Sequence, residues 1–92
     1  MSLNIRKALG LEYNHLTTLP ESFGQLRDLE TLALQHNELT TLPASLGRLQ
    51  ALTELDIEEN RFDEMPETLN ELVNLQRLNE RPISSYRIDR AR

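Results

Sequence analysis

The chain has 92 residues, no cysteine, no tryptophan and a formal net charge of −5. Domains typically run to roughly 100–150 residues, so this length predicts one small domain. Without cysteine a disulfide framework, cysteine-ligated zinc and thiol catalysis are excluded, and a cytoplasmic setting is favoured. The acidic balance argues against nucleic acid as a partner. No apolar run approaches the roughly 20 residues of a membrane span, so we expect no membrane association.

The sequence repeats itself after a short lead-in. Leu9, Leu32, Leu55 and Leu78 follow one another at steps of 23 residues. We predict an N-terminal lead-in over 1–8, three repeats over 9–31, 32–54 and 55–77, and a degenerate fourth strand with a basic tail over 78–92. The residue types agree in nine columns across the three units, which include an asparagine and a proline.

Each unit combines two hydrophobic periods. The opening Leu-x-Leu, as in Leu32 and Leu34, alternates with period 2 and predicts a short strand with one buried face. After the proline, apolar residues recur every three positions, as in Phe23, Leu26 and Leu29, which predicts a 3₁₀ or short α-helical turn. Every turn returns the chain in the same sense, so successive strands should be parallel neighbours.

The asparagine column consists of Asn14, Asn37 and Asn60. A polar residue in a fixed slot between apolar columns is costly unless its side chain is hydrogen-bonded. We predict that these three side chains bond main-chain groups where each strand turns inward, and that they form a ladder between units. The alternative is three exposed turn asparagines.

The pattern LxLxxNxLxxLPxxLxxLxxLxx covers residues 9–77 and resembles the 23-residue leucine-rich repeat of the cytosolic Ras-group and bacterial type. This resemblance implies an α/β solenoid, a right-handed superhelix with short parallel β-strands on its concave face and short helical or 3₁₀ turns on its convex face. It also implies a protein-binding role, and from the residues themselves we expect neither catalysis nor a cofactor.

Residues between the buried strand positions should face outward from the concave sheet. We predict that a protein or peptide binds there, with basic character to match four closely spaced carboxylates, those of Glu54, Asp56, Glu58 and Glu59. The opposing interpretation is that these carboxylates are a solvated face, partly neutralised by Arg77 and Arg81. The candidate partner-binding residues are Tyr13, His15, Gln35, His36, Glu54, Asp56, Glu58, Glu59 and Arg77.

The ends of the repeat array suggest further interpretations. An uncapped first strand exposes main-chain groups, so we predict a homodimer through the N-terminal edge. Alternatively, the repeats are a structural or targeting segment of a larger protein, such as a bacterial effector delivered into a host cell. The near-identical first two units also suggest an engineered scaffold, but Ile57, Phe62 and Asn70 make the third unit unlike them.

Other chemistry finds little support in the sequence. Residues 56–67 place acidic side chains at several positions of a calcium-binding loop, but Arg61 stands where the sharp turn requires glycine. We therefore predict no metal site. Ser22 and Ser45 share a column just ahead of the helical stripe, and we predict that they cap its N-terminus. An open, shallow curve offers no cleft for acid–base catalysis, so we predict that the chain is not an enzyme.

Overall fold

The computed structural model describes residues 7–80, which form four strands and three 3₁₀ turns. The strands are β1 (Ala8–Gly10), β2 (Thr31–Ala33), β3 (Glu54–Asp56) and β4 (Arg77–Asn79). The turns are η1 (Glu21–Gln25), η2 (Ala44–Arg48) and η3 (Glu67–Glu71). Strand and turn alternate along the chain, so each repeat contributes one of each, as the sequence predicts.

The four strands form one parallel sheet in the order β1-β2-β3-β4. Leu9 pairs with Leu32, Leu32 with Leu55, and Leu55 with Leu78, so the register advances by one repeat per strand. This register places equivalent residues of all repeats in columns that run across the sheet. The strands occupy the concave side of a solenoid and the 3₁₀ turns its convex side, which confirms the predicted architecture.

The three-residue hydrophobic period becomes a chain of main-chain hydrogen bonds. In the second repeat the N–H of Leu46 donates to Pro43, that of Leu49 to Leu46, and that of Leu52 to Leu49, all at 3.0–3.1 Å. The first and third repeats make the same series. Bonds between residues three apart define 3₁₀ geometry and bring side chains with that spacing onto one stripe. The turns are therefore 3₁₀ rather than α-helical.

The leucine columns pack into a shared core that is tightest in the second repeat. Leu34, Leu39, Leu46 and Leu49 are all 0% exposed. In the first repeat the equivalent columns only pack against the core and stay partly exposed, and Leu11 is among them. The first unit is therefore less completely buried than the second. Within the described residues β1 is an edge of the sheet, and no preceding repeat covers its side of the core.

Asparagine side chains link successive repeats at the end of each strand. Asn37 Oδ1 accepts a hydrogen bond from the Leu16 N–H at 3.0 Å, while its amide donates to the carbonyls of Leu11 and Leu34, each at 3.0 Å. Asn60 makes the corresponding bonds one repeat later, with the N–H of Leu39 at 2.9 Å as donor. These asparagines satisfy main-chain groups of two repeats at once.

Asn14 has a different environment from the other two asparagines. Its side chain is exposed and donates to the carbonyls of Leu11 and Glu12, at 2.9 and 3.1 Å. Both bonds lie within the first repeat. Asn37 therefore links two repeats, whereas Asn14, in the same column, only stabilises a turn within its own repeat.

The two column serines do not cap the turns as predicted. Pro20 and Pro43 hold the positions before η1 and η2, and neither turn has a side-chain cap hydrogen bond. Proline suits this position because its φ is already restricted and its missing N–H is not needed. The buried Ser45 hydroxyl instead donates to the Glu21 carbonyl at 2.6 Å, and it thereby joins η2 to η1.

A glycine column allows neighbouring turns to approach closely. A Cβ added to Gly24 would lie 2.8 Å from the main-chain oxygen of Ser45, and one added to Gly47 would collide with the Glu71 side chain. Asn70 holds the same column in the third repeat, where it is exposed. The glycines therefore stand where a following 3₁₀ turn packs against them, which explains why the third unit departs from the pattern.

Candidate protein-interaction face

The concave sheet presents two columns of outward residues that change character along the solenoid. The register gives one column Ala8, Thr31, Glu54 and Arg77, and the other Gly10, Ala33, Asp56 and Asn79. The first two rows are thus small and uncharged, the third is acidic, and the fourth combines a guanidinium with an amide. A shallow depression of about 200 Å³ lies over rows two to four, and Ala33 is in its lining.

Two of the candidate binding residues pair with each other in this face. Arg77 lies 3.4 Å from a Glu54 carboxylate oxygen, and both side chains remain substantially exposed. Asp56 accepts a hydrogen bond from the Glu58 N–H at 3.1 Å and lies 3.4 Å from the Asn79 amide. Surface ion pairs of this kind contribute little to stability. A basic partner side chain could therefore displace Arg77 from Glu54 at little energetic cost.

The column that contains Glu12 and Gln35, two residues beyond Gly10 and Ala33, has two buried acceptor oxygens with no hydrogen-bond donor. Glu12 and Gln35 are half-buried, and the Oε1 atom of each is buried with no hydrogen-bond partner. The Glu12 carboxylate lies over Gly10, since a Cβ added there would be 2.8 Å from Glu12 Oε1. A buried acceptor without a donor is energetically costly. Glu12 is not among the binding residues predicted from the sequence. The sequence signal that could have identified it is Gly10, whose missing side chain leaves room for the Glu12 carboxylate.

Tyr13, His36 and Glu59 form a column with an unusual backbone conformation. Their φ angles are 58°, 61° and 54°, in the left-handed region that residues other than glycine rarely adopt. The Tyr13 and His36 rings stack with their centroids 4.5 Å apart and their planes inclined by 9°. This separation is close to the spacing of neighbouring strands. The repeat therefore sets the stacking distance.

His15 lies beyond the stacked rings and approaches a carboxylate of the next repeat. Its Nδ1 atom is 3.4 Å from a Glu38 carboxylate oxygen, and the His15 side chain is 92% exposed. Lys7 and Glu30 pair in the same way at 3.5 Å. Both pairs join residues 23 positions apart, so the side-chain pairing follows the repeat register. His15 belongs to the rim of the face rather than to the stack.

Within residues 7–80, no group of three or more histidine, aspartate or glutamate side chains is arranged to hold a metal ion. In the same part of the chain, no helix is long and apolar enough to span a bilayer. The predicted role of Arg81 in neutralising the acidic row and the remainder of the basic tail lie outside the described residues.

Comparison with known proteins assigns the family. Residues 2–91 match the family described as leucine-rich repeat region. A solved structure of the Leptospira interrogans LRR protein LIC12759 superposes with a TM-score of 0.74 at 35% sequence identity, over 91% of this chain and 23% of that one. The chain thus spans about a quarter of that relative's length. No curated protein matches it. The chain belongs to the leucine-rich-repeat family.

Proposed function

We propose that the chain is a protein-interaction module that binds a basic, extended protein segment across its concave sheet. Membership of a repeat family whose units stack into an exposed sheet supports the interaction role. The acidic third row carries the proposal, because Glu54 and Asp56 lie on this face and offer acceptor oxygens to hydrogen-bond donors from outside. Lysine, arginine and main-chain N–H groups are donors of that kind.

The charge of the third row supports a basic partner over an acidic or neutral one. Glu54 and Asp56 lie in successive outward positions of β3, and the exposed Glu59 follows three residues after Asp56. Arg77 partly neutralises this row, but it is held by an exposed ion pair that a second cation can exchange. Charge complementarity of this sort speeds encounter and selects the partner more than it adds affinity.

A peptide-display selection against the immobilised chain tests the proposal. We expect the enriched peptides to be rich in lysine and arginine and to bind less well at high salt, because exposed charges are screened. Replacing Glu54 and Glu59 together by arginine should abolish binding. The matched control, Asp28→Arg with Asp63→Arg, makes the same charge change away from the strands and should leave binding intact. Acidic or purely apolar peptides would contradict the proposal.

A second candidate is that the repeats are a structural segment of a larger protein whose activity lies elsewhere. The coverage of only 23% of the Leptospira relative favours it. The test is to map the binding of the full-length gene product to its partner. Binding that persists after deletion of residues 7–80 would support the structural role, and binding that is lost would support the interaction module.

The half-exposed apolar columns of the first repeat support a further proposal, self-association through β1. Leu9, Leu11 and Leu16 pack against the core only from one side in the described residues. A second chain that pairs with β1 would cover them. Light scattering should then show a dimer whose fraction grows with concentration, and a monomer at all concentrations would contradict it.

A further inference from the structure

We propose that the concave face holds an arginine-selective position, in which a partner guanidinium stacks on the outer face of His36 and hydrogen-bonds to the Glu59 carboxylate. This inference rests on the proposed function and specifies which cation the face selects. It follows from the column that contains Tyr13, His36 and Glu59, which supplies one ring, a second ring and one carboxylate at successive rows.

Glu59 occupies the same position relative to His36 as His36 does relative to Tyr13. The Tyr13 N–H donates to the Gln35 carbonyl at 3.0 Å, and the His36 N–H donates to the Glu58 carbonyl at 2.9 Å. The step from first to second repeat is thus repeated from second to third, and Glu59 stands to His36 as His36 stands to Tyr13. All three residues also share a left-handed backbone, so their side chains leave the chain in the same way.

The aromatic stack of Tyr13 on His36 ends at His36. Tyr13 covers one face of the imidazole at a centroid distance of 4.5 Å. The next row has a carboxylate in place of a third ring, so the opposite face of His36 is turned toward a negative charge rather than toward another aromatic. His36 and Glu59 are both exposed, which leaves this position open to a partner side chain.

A guanidinium group fits the position between the His36 ring and the Glu59 carboxylate better than an ammonium group does. A guanidinium is planar, stacks on aromatic rings and donates two parallel N–H bonds to a carboxylate. It would continue the stack and meet Glu59 with the same group. A lysine ammonium is a compact point charge that can reach Glu59 but has no plane to lay on the imidazole. The combination therefore selects arginine over lysine.

The backbone and the first ring preorganise the position. A left-handed residue has a narrow range of allowed φ and ψ, which restricts where its side chain can go. Tyr13 further holds the imidazole plane by stacking with an inclination of only 9°. A ring already held parallel loses less conformational freedom when a ligand binds.

The test compares two synthetic hexapeptides, one alternating arginine with glycine and one alternating lysine with glycine, titrated into the full chain and followed by NMR. We expect the arginine peptide to bind about threefold more tightly than the lysine peptide and to shift the His36 ring protons. His36→Asn removes the ring and keeps a residue that tolerates left-handed backbone. It should abolish the preference, as should Glu59→Gln, whereas the control Asp28→Asn should not change it.

The outcomes separate this inference from the proposed function. Equal binding of both peptides, with unshifted His36 ring protons, would overturn the arginine position and leave a face that binds basic segments. Failure of both peptides to bind would overturn the arginine position and count against the basic partner as well. A preference for arginine that survives in His36→Asn would place the selectivity elsewhere and also overturn it.

Discussion

The Leu16 N–H donates to Asn37 Oδ1 at 3.0 Å, across 21 residues of chain, and this bond fastens the first repeat to the second. The same amide group of Asn37 serves carbonyls of both repeats. The Asn37 side chain thus supplies hydrogen-bond partners to main-chain groups that lose their main-chain partners where the strands turn inward.

Replacement of Asn37 by alanine should destabilise the chain strongly. The change leaves the Leu16 N–H and the carbonyls of Leu11 and Leu34 without this partner, at an expected total of about 3 kcal/mol. Asn14→Ala is the matched control, because Asn14 is exposed and bonds only within its own repeat, and it should cost less than about 1 kcal/mol. Urea unfolding followed by circular dichroism measures both. Equal losses would show that the link between repeats has no special weight.

Truncation of the buried strand leucines should reveal the gradient in burial. Leu34 is fully buried, so Leu34→Ala should cost about 2–5 kcal/mol through lost contacts and a cavity. Leu11 holds the same column in the first repeat and is half-buried, so Leu11→Ala should cost about half as much. The same denaturant experiment compares the two. A larger loss at Leu11 would mean that the open side of β1 is covered in solution.

Relief of the left-handed backbone at Glu59 should stabilise the fold. A residue with a side chain at positive φ carries a cost of roughly 1–2 kcal/mol that glycine avoids. We expect Glu59→Gly to be about 1 kcal/mol more stable than Glu59→Ala, since alanine keeps the strain and loses the same carboxylate. Thermal melting of this pair gives the difference. If alanine proved the more stable, the backbone of Glu59 would not be left-handed in solution.

Introduction of a methyl group at Gly24 should disturb the packing of η1 against η2. The new Cβ would lie 2.8 Å from the Ser45 main-chain oxygen, which cannot move without its turn, and overpacking of this kind costs about 1–3 kcal/mol. Asn70 holds the same column in η3, on which no further turn packs within residues 7–80, so Asn70→Ala should stay within about 0.5 kcal/mol. The melting temperatures of the two variants check this, and similar values would remove the packing explanation for the glycine column.

The sequence predicts the fold well because its strongest signal is the one that builds the solenoid. The leucine columns around Leu32 and Leu34 define strands, register and core together, and the three-residue spacing from Pro43 onward corresponds to the 3₁₀ hydrogen bonds. The sequence does not predict that Leu11 is less buried than Leu34, because a residue column does not show how many neighbouring repeats cover each unit. The prediction that Ser22 and Ser45 cap the turns is wrong, because a hydroxyl near a turn can hydrogen-bond to the neighbouring turn instead of its own, as Ser45 does.

The candidate face was only partly predictable. Alternation identifies which residues point outward, but Tyr13, His36 and Glu59 share no residue type that signals left-handed backbone, such as glycine or asparagine. Their conformation is imposed by the turn that precedes each column asparagine. The stack of Tyr13 on His36 depends on that conformation and on the strand spacing, so neither residue alone indicates it.

The most direct measurement maps where a basic ligand contacts the folded chain. We would titrate ¹⁵N-labelled chain with the arginine–glycine hexapeptide and record amide and side-chain shifts. We expect shifts at the outward residues of β2 and β3 and at His36 and Glu59, and no shifts in the 3₁₀ turns η1 to η3. Shifts confined to those turns, on the convex side, would contradict this expectation.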